Sequence, residues 1–456
     1  MKKQGAYDRI VKNVIVIGGG AAGMMAAYTA AAGGHRVRLL EKNEKLGKKI
    51  YITGKGRCNF TNACDFPVFL KNIVSNPRFM YSAGQAFLPE DMITFLEEAG
   101  CRTKVERGSR AFPMSDHASD VTKALEQKLR AAGVEILLHM EVTSVEKDTV
   151  PLGSISADMD AAEDGFSREG RPGFRVTARQ VTNNQRVVFK ADAVIVCTGG
   201  LSYASTGSTG DGYRFAREAG LSVKDCVPAL VPLCTKEDDY IPLQGVSLKN
   251  VSVRIIEPEG ASGRKKKNKD VVWESEPGEL LFTHFGLSGP LVLTASSLVS
   301  RGLSENRTYL LEIDLKPGMN EEMLDSRILR DLENAQNMLL ENALGKLLIA
   351  SLRPVILKRA GISEEIRVRD LSREQRLRLV HEIKHMRYQL SGTRGFQEAI
   401  ITQGGVDVKE IHPGTMESKK CPGLYFAGEV LDVDGFTGGF NLQIAWATGH
   451  AAGSAV

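Results

Sequence analysis

Val14-Ile15-Val16-Ile17-Gly18-Gly19-Gly20-Ala21-Ala22-Gly23 opens the folded part of this chain, and Glu41 follows eighteen residues after Gly23. Four β-branched residues in a row read as a buried strand. The Gly-x-Gly-x-x-Gly turn at Gly18, Gly20 and Gly23 then leads into an alanine-rich helix. A second strand, 36–40, delivers the acid at its end. Gly18 permits the tight turn, Gly20 lets backbone approach a pyrophosphate, and Gly23 lets helix pack on strand. The helix start, with Ala21 and Ala22, offers free N–H groups and partial positive charge to phosphates. Glu41 has the acceptor geometry for ribose hydroxyls, with Lys42 beside it. Strand, glycine turn, helix, strand and acid in that order predict a dinucleotide site, where the glycine pattern alone would not.

Bulk properties narrow the class. A length of 456 residues calls for two or three domains. Hydrophobic content of 42%, charged content of 25% and a net charge of +4 are those of an ordinary globular protein, with no demand for a nucleic-acid partner. A charge-free stretch, 13–34, has the length of a membrane span, but its glycine turn marks an α/β unit instead. The expectation is a cytoplasmic protein with no membrane partner. Seven cysteines, at 58, 64, 101, 197, 226, 234 and 421, never fall in a Cys-x-x-Cys spacing. This argues against a disulfide framework, a zinc site and the paired redox thiols of a flavin disulfide reductase. His381 and His385 share a helix face, but no third ligand is evident, so no metal is expected.

Beyond Glu41, the run Leu46 to Asn62 is rich in glycine, cations and small polar side chains: Lys49, Gly54, Arg57, Cys58 and Asn59 are its candidate cofactor residues. Such a loop suits a phosphate–ribityl chain, and the competing reading is a basic surface turn. Val134 to Val145 reads as one strand, with Val142 placed to give a backbone contact to an adenine. A polar insertion lies around 153–173. The strand 192–197 ends in Thr198-Gly199-Gly200, and a loop from Tyr203 to Gly212 follows. Its glycine spacing does not fit a second nucleotide fold.

Short strands then dominate, at 246–256, 271–273, 280–283 and 309–315, which suggests a β-rich insert. Arg264-Lys265-Lys266-Lys267-Asn268-Lys269 sits between two of them and reads as a solvated hairpin tip. Residues 320–387 carry helical periodicity. The C-terminal part returns to α/β grammar: Gly423 to Glu429 is a strand ending in Gly428-Glu429, followed by Asp434 to Asn441 and an apolar helix. An extended FAD needs this second strand end at its middle. The helix start at Gly438, Gly439, Phe440, Asn441 and Leu442 can face the flavin O2/N1 edge and stabilise the charge of the reduced ring. A simple nicotinamide dehydrogenase has no use for that motif, so FAD is the expected cofactor.

With these motifs in view, the chain resembles the BaiN-type flavoproteins, also labelled aminoacetone-oxidase-like, within the glutathione-reductase-like FAD superfamily. The resemblance runs along the whole length. It rests on Ile17 to Gly23, Thr53 to Asn62, Leu281-Phe282-Thr283-His284-Phe285-Gly286-Leu287-Ser288-Gly289-Pro290, and Gly428 to Gln443. It implies an α/β fold in which a Rossmann-type FAD-binding domain (1–205 and 392–456) is interrupted by a β-barrel-like insert domain (206–318) and a small helical domain (319–391). It also implies NAD(P)H-dependent reduction of conjugated C=C bonds in a 3-oxo steroid or bile-acid-like enone, by hydride transfer from flavin N5. NADH or NADPH would visit transiently, and the substrate would be a small hydrophobic molecule. Tyr203 is a candidate proton donor, or a tyrosine packed on its own loop. His284 is an acid or a structural hydrogen-bonder. Two alternatives stay open: an amine or amino-ketone oxidase using oxygen, and an RNA-acting flavoprotein for which the lysine run is the support.

Overall fold

A computed structural model of the chain describes residues 10–148, 173–258 and 271–456. The Arg264–Lys269 run and the polar insertion, Gly173 apart, lie outside them. The chain divides into two compact units, 1–226 with 401–456, and 227–400.

The first unit is built on a parallel sheet of five strands among the described residues: β1 (Asn13–Ile17), β2 (Arg36–Leu40), β3 (Glu135–Leu137), β4 (Ala193–Val196) and β5 (Leu424–Phe426), in the order β5-β4-β1-β2-β3. β1 is central, in register with β4 at Val14↔Ala193 and with β2 at Asn13↔Arg36. A central parallel strand is covered on both faces, and so Val14 to Ile17 is continuously apolar and buried. Two helices cross beneath the glycine turn, α1 (Ala21–Ala32) and α2 (Phe440–Ala455). Their backbones come close because small residues face each other. A Cβ on Gly449 would stand 2.4 Å from the Ala22 carbonyl oxygen, and one on Gly453 would stand 2.4 Å from that of Ala26.

The stretch expected as one strand, 134–145, is two. β3 ends at Leu137, and Met140–Lys147 belongs to a separate antiparallel sheet with Phe174–Gln180 and Arg186–Ala191. Between them His139 takes a φ of 57°, a left-handed turn that redirects the chain.

The second unit carries an antiparallel sheet that closes on itself. The order runs Ser247–Ile256, Gly278–Thr283, Gly286–Ser288, Leu233–Thr235, Met386–Thr393, Leu310–Asp314 and back to Ser247–Ile256. Inward residues such as Phe282, Leu287, Leu311 and Tyr388 share one apolar core with Leu324, Ile328, Ile356, Leu379 and Ile383 from the helices. One sequence expectation fails here. His381 and His385 do have a third potential ligand: the first residue of helix Glu321–Leu332 brings its carboxylate 2.9 Å from Nε2 of His385. Some sixty residues of intervening chain hide that neighbour from a sequence reading.

Candidate cofactor site

The site is built from the first unit alone. Gly18 adopts φ +100° and donates its N–H to the Leu40 carbonyl at 2.8 Å, which ties the turn to β2. A Cβ on Gly23 would stand 1.8 Å from the Gly18 carbonyl oxygen, so the α1 backbone touches the turn directly. Gly20 differs: a Cβ there would meet nothing within 4 Å. Close packing at Gly23 and open space at Gly20 are what a phosphate-approach turn requires. No side chain caps α1 at Gly20 or α2 at Gly439, so both helices present uncapped N-termini. Ala22 lies under Gly428, whose added Cβ would sit 2.7 Å from the alanine methyl. This brings the two motifs from opposite ends of the chain together.

Glu41 is buried and anchors the turn. Its Oε2 accepts the Gly19 N–H at 2.7 Å, and its Oε1 accepts the N–H and Nδ2 of Asn43 at 2.8 and 2.7 Å. Val142 is buried in the strand Met140–Lys147, whose first N–H donates to the Glu41 carbonyl at 2.9 Å. Lys42 turns aside to Asp211 at 2.7 Å and Thr209 at 2.6 Å.

The glycine-rich loop holds a run of left-handed residues: Gly54 (φ 60°), Lys55 (58°), Gly56 (87°) and Cys58 (59°). Lysine and cysteine in this region carry backbone strain that surrounding contacts must hold. The Cys58 thiol is fully buried, and burial pushes its pKa up, so it stays protonated. Arg57 is engaged by two carboxylates. It pairs with Glu106 at 2.5 Å and Asp116 at 2.6 Å and lies 4.2 Å over the Phe112 ring. Arg57 holds the Glu106 carboxyl below its usual range, and Lys104 with Arg57 does the same for Asp116. Asn59 is the unusual member. It is 9% exposed and its Oδ1 has no hydrogen-bond partner, an acceptor awaiting a donor.

The C-terminal motif meets this loop. Thr61 donates to Oε1 of Gln443 at 2.7 Å, Trp446 donates to the Phe60 carbonyl at 2.8 Å, and Asn62 donates to the Gly438 carbonyl at 3.0 Å. Asn441 clasps Gly435 with two hydrogen bonds of 2.9 and 2.7 Å, which fixes the entry to α2 beside Phe440 and Leu442. Glu429 centres a network: Oε2 pairs with Lys49 at 2.6 Å, and Oε1 accepts from Ser202 at 3.0 Å and from the Thr402 N–H at 2.8 Å. Thr198 accepts the Gly212 N–H at 3.1 Å, and Gly199 is left-handed (φ 73°) against Ser208.

Tyr203 follows Ser202 directly. It is half-buried and left-handed at φ 53°. His284 belongs to the second unit, exposed in the turn between Gly278–Thr283 and Gly286–Ser288, with its ring edge-on to Phe285 at 4.8 Å. Ser202, Thr402 and Gln443 were not singled out from the sequence as site residues. The one signal near Thr402 was Gly404-Gly405, a glycine pair inside a strand pattern, which marks close backbone approach.

Open space at Gly20, two uncapped helix starts and the orphaned Asn59 acceptor fit an extended FAD. The HI0933-like protein Rossmann domain model matches residues 12–164 and 172–455. The chain is 32% identical over 424 residues to the 3-dehydro-bile acid delta(4,6)-reductase of Clostridium scindens, covering 93% of each protein. It is 31% identical over 439 residues to the ribosomal RNA dihydrouridine synthase of Haemophilus influenzae, and 32% identical over 448 residues to that of Escherichia coli, covering 96% of each protein in both cases. Among the described residues, no helix is long and apolar enough to cross a membrane. With the model match spanning nearly the whole chain, this protein belongs to the HI0933-like family of FAD-binding Rossmann-fold oxidoreductases.

Proposed function

We propose that this protein reduces a carbon–carbon double bond conjugated to a carbonyl, with NADH or NADPH as the source of electrons. The observation that carries the reading is a chemical feature shared by relatives of two kinds. A Δ4 bond of a 3-oxo steroid and the 5,6 bond of uracil, which dihydrouridine lacks, are both conjugated to C=O. FAD, when bound, supplies the hydride that such a bond accepts at its β-carbon.

The residues divide the remaining work. Gly18 to Gly23 and Glu41 would hold the ADP half, with the α1 N-terminus offering its N–H groups to the pyrophosphate. Asn59, Lys49 and Gly438 to Leu442 hold the flavin half. Tyr203 is the proton donor, its phenol delivering H⁺ to the substrate α-carbon as charge leaves the carbonyl. The Glu429–Ser202–Thr402 network fixes the loop that carries it, which accounts for a tyrosine kept in a strained conformation.

Two acceptors satisfy this chemistry. A 3-oxo-Δ4 steroid-like enone follows the Clostridium scindens relative. A uracil base within ribosomal RNA follows the other two, which align over 439 and 448 residues against 424. The test is anaerobic: reduce the holoprotein with NADH or NADPH, then offer a panel of 3-oxo-Δ4 steroids and, separately, unmodified ribosomal RNA. Reoxidation with saturation of the steroid, or formation of dihydrouridine, identifies the acceptor. Tyr203→Phe should slow that step about 10²–10⁴-fold while leaving reduction by the nicotinamide intact. No turnover with any conjugated acceptor sinks the proposal, and substrate-dependent peroxide release from amines without NAD(P)H would replace it.

A further inference from the structure

The second unit contains a side-chain cluster that cofactor chemistry does not use. His381 and His385 stand one turn apart at the end of helix Arg373–Lys384, their ring centroids 4.8 Å apart. Helix Glu321–Leu332 packs alongside and puts Oε1 of Glu321 2.9 Å from Nε2 of His385 and 3.9 Å from Nδ1 of His381. All three ligand atoms lie within 4.8 Å of one another.

Zinc bound to imidazole or carboxylate at about 2.0–2.2 Å in tetrahedral geometry places its ligand atoms roughly 3.3–3.6 Å apart. The separations of 2.9 and 3.9 Å bracket that spacing. The imidazole pair, whose ligand atoms lie within 4.8 Å of each other, must be drawn to the same spacing by side-chain rotation, and His381 and Glu321 are each more than half exposed. A second, buried carboxylate lies behind the cluster. Nδ1 of His385, the nitrogen turned away from Glu321, lies 3.1 Å from Oε1 of Glu312. Glu312 is 3% exposed and is held by Arg387 at 2.8 Å and Arg254 at 3.4 Å. Nδ1 of His385 and Glu312 are not aligned as a hydrogen bond, so Nδ1 is a buried nitrogen beside a carboxylate, while Nε2 faces Glu321, whose place beside the ring a metal ion would take. Lys384, next to His385 in the chain, is occupied elsewhere, with its ammonium 2.5 Å from Asp314.

We propose that Glu321, His381 and His385 form a divalent-cation site of the zinc class. Two imidazoles and one carboxylate suit Zn²⁺ and disfavour Mg²⁺, which takes oxygen ligands in an octahedron. Water would complete the tetrahedron. The bound ion would clip the start of one helix to the end of another that follows about forty residues later. The site is independent of the flavin reading.

The experiment uses the chelator-treated holoprotein, titrated with Zn²⁺ in competition with a chromophoric chelator, with Mg²⁺ as control. The wild type should bind one more equivalent than His381→Ala, and Glu321→Gln should bind that equivalent at least about tenfold more weakly. Zn²⁺ should raise the melting temperature of the wild type and leave that of His381→Ala unmoved. Both substituted residues are exposed, so the variants should fold, and zinc held by cysteines is common to all three proteins and cancels. Equal stoichiometry and affinity in wild type and His381→Ala, or no zinc binding by the wild type, overturns the proposal.

Discussion

Alanine at Gly23 and alanine at Gly20 should fail in opposite ways. The Gly23 Cβ would stand 1.8 Å from the Gly18 carbonyl oxygen, where an ordinary contact is about 3.5 Å, so helix and turn must part by roughly 1.7 Å. α1 has little room to retreat, because Gly449 and Gly453 press its other side. The overpacking cost therefore sits near the top of its usual range, about 3 kcal/mol, and better helix propensity returns about 1 kcal/mol. The net is a loss of about 2 kcal/mol in the flavin-free protein. At Gly20 the backbone, φ −80° and ψ −169°, is one that alanine adopts freely, and its Cβ meets nothing. Apoprotein stability should hold, or rise by about 0.4–1 kcal/mol through the unfolded chain. If the pyrophosphate uses that open space, overpacking of about 1–3 kcal/mol falls on the ligand, and FAD affinity drops roughly 5- to 150-fold. Thermal melts of deflavinated protein and FAD titration by flavin fluorescence read the two effects separately. Wild-type FAD affinity in a folded Gly20→Ala protein would refute the cradle, and an undisturbed Gly23→Ala apoprotein would refute the packing argument.

Three further outcomes follow from the same geometry. Asn59→Leu removes an acceptor that has no protein partner, so apoprotein stability should hold or improve while FAD affinity falls up to about tenfold; unchanged affinity would mean Asn59 meets no ligand. Lys49→Met should cost about 1 kcal/mol, because Ser202 and Thr402 still serve Glu429. A double-mutant cycle with Glu429→Gln should return a coupling of about 0.5–1 kcal/mol, and a coupling of zero would show the pair to be idle. His450 stacks on Phe87 at 4.9 Å, and burial lowers its pKa. The unfolded chain then takes up a proton first, so stability is complete above about pH 6.5 and is lost as pH falls through the lower folded value. His450→Gln should flatten that acid-side loss of melting temperature, and an unchanged slope would assign it to other groups.

What could be read from the sequence was local. The strand, glycine turn and helix at 14–32 are specified by adjacent residues, and the structure shows the same order with Glu41 at the end of β2. The partners of the cations were not local. Lys42 and Arg57 stand as cations without visible partners in sequence, and folding gives them Asp211, Glu106 and Asp116, from 49 to 169 residues away. Charge type alone does not reveal whether a cation is already neutralised. The expected strand 134–145 failed because a single histidine at positive φ breaks a pattern that periodicity reads as continuous.

The network at Glu429 shows why the Tyr203 loop was harder to read than the glycine turn. Its donors come from positions 49, 202 and 402, so no window of sequence contains more than one of them. Thr402 adds a second tie: its hydroxyl accepts the N–H groups of Leu201 at 2.7 Å and Ser202 at 3.1 Å. The loop leading to Tyr203 is thereby held on one side by a carboxylate and on the other by a hydroxyl from the returning strand Ile401–Val406. A substitution at Thr402 that keeps the strand but removes the hydroxyl leaves two backbone donors without that acceptor and frees the loop. Its effect should therefore track that of Tyr203→Phe on the substrate step while leaving FAD binding untouched, which places the tyrosine's position under the control of a residue two hundred positions away.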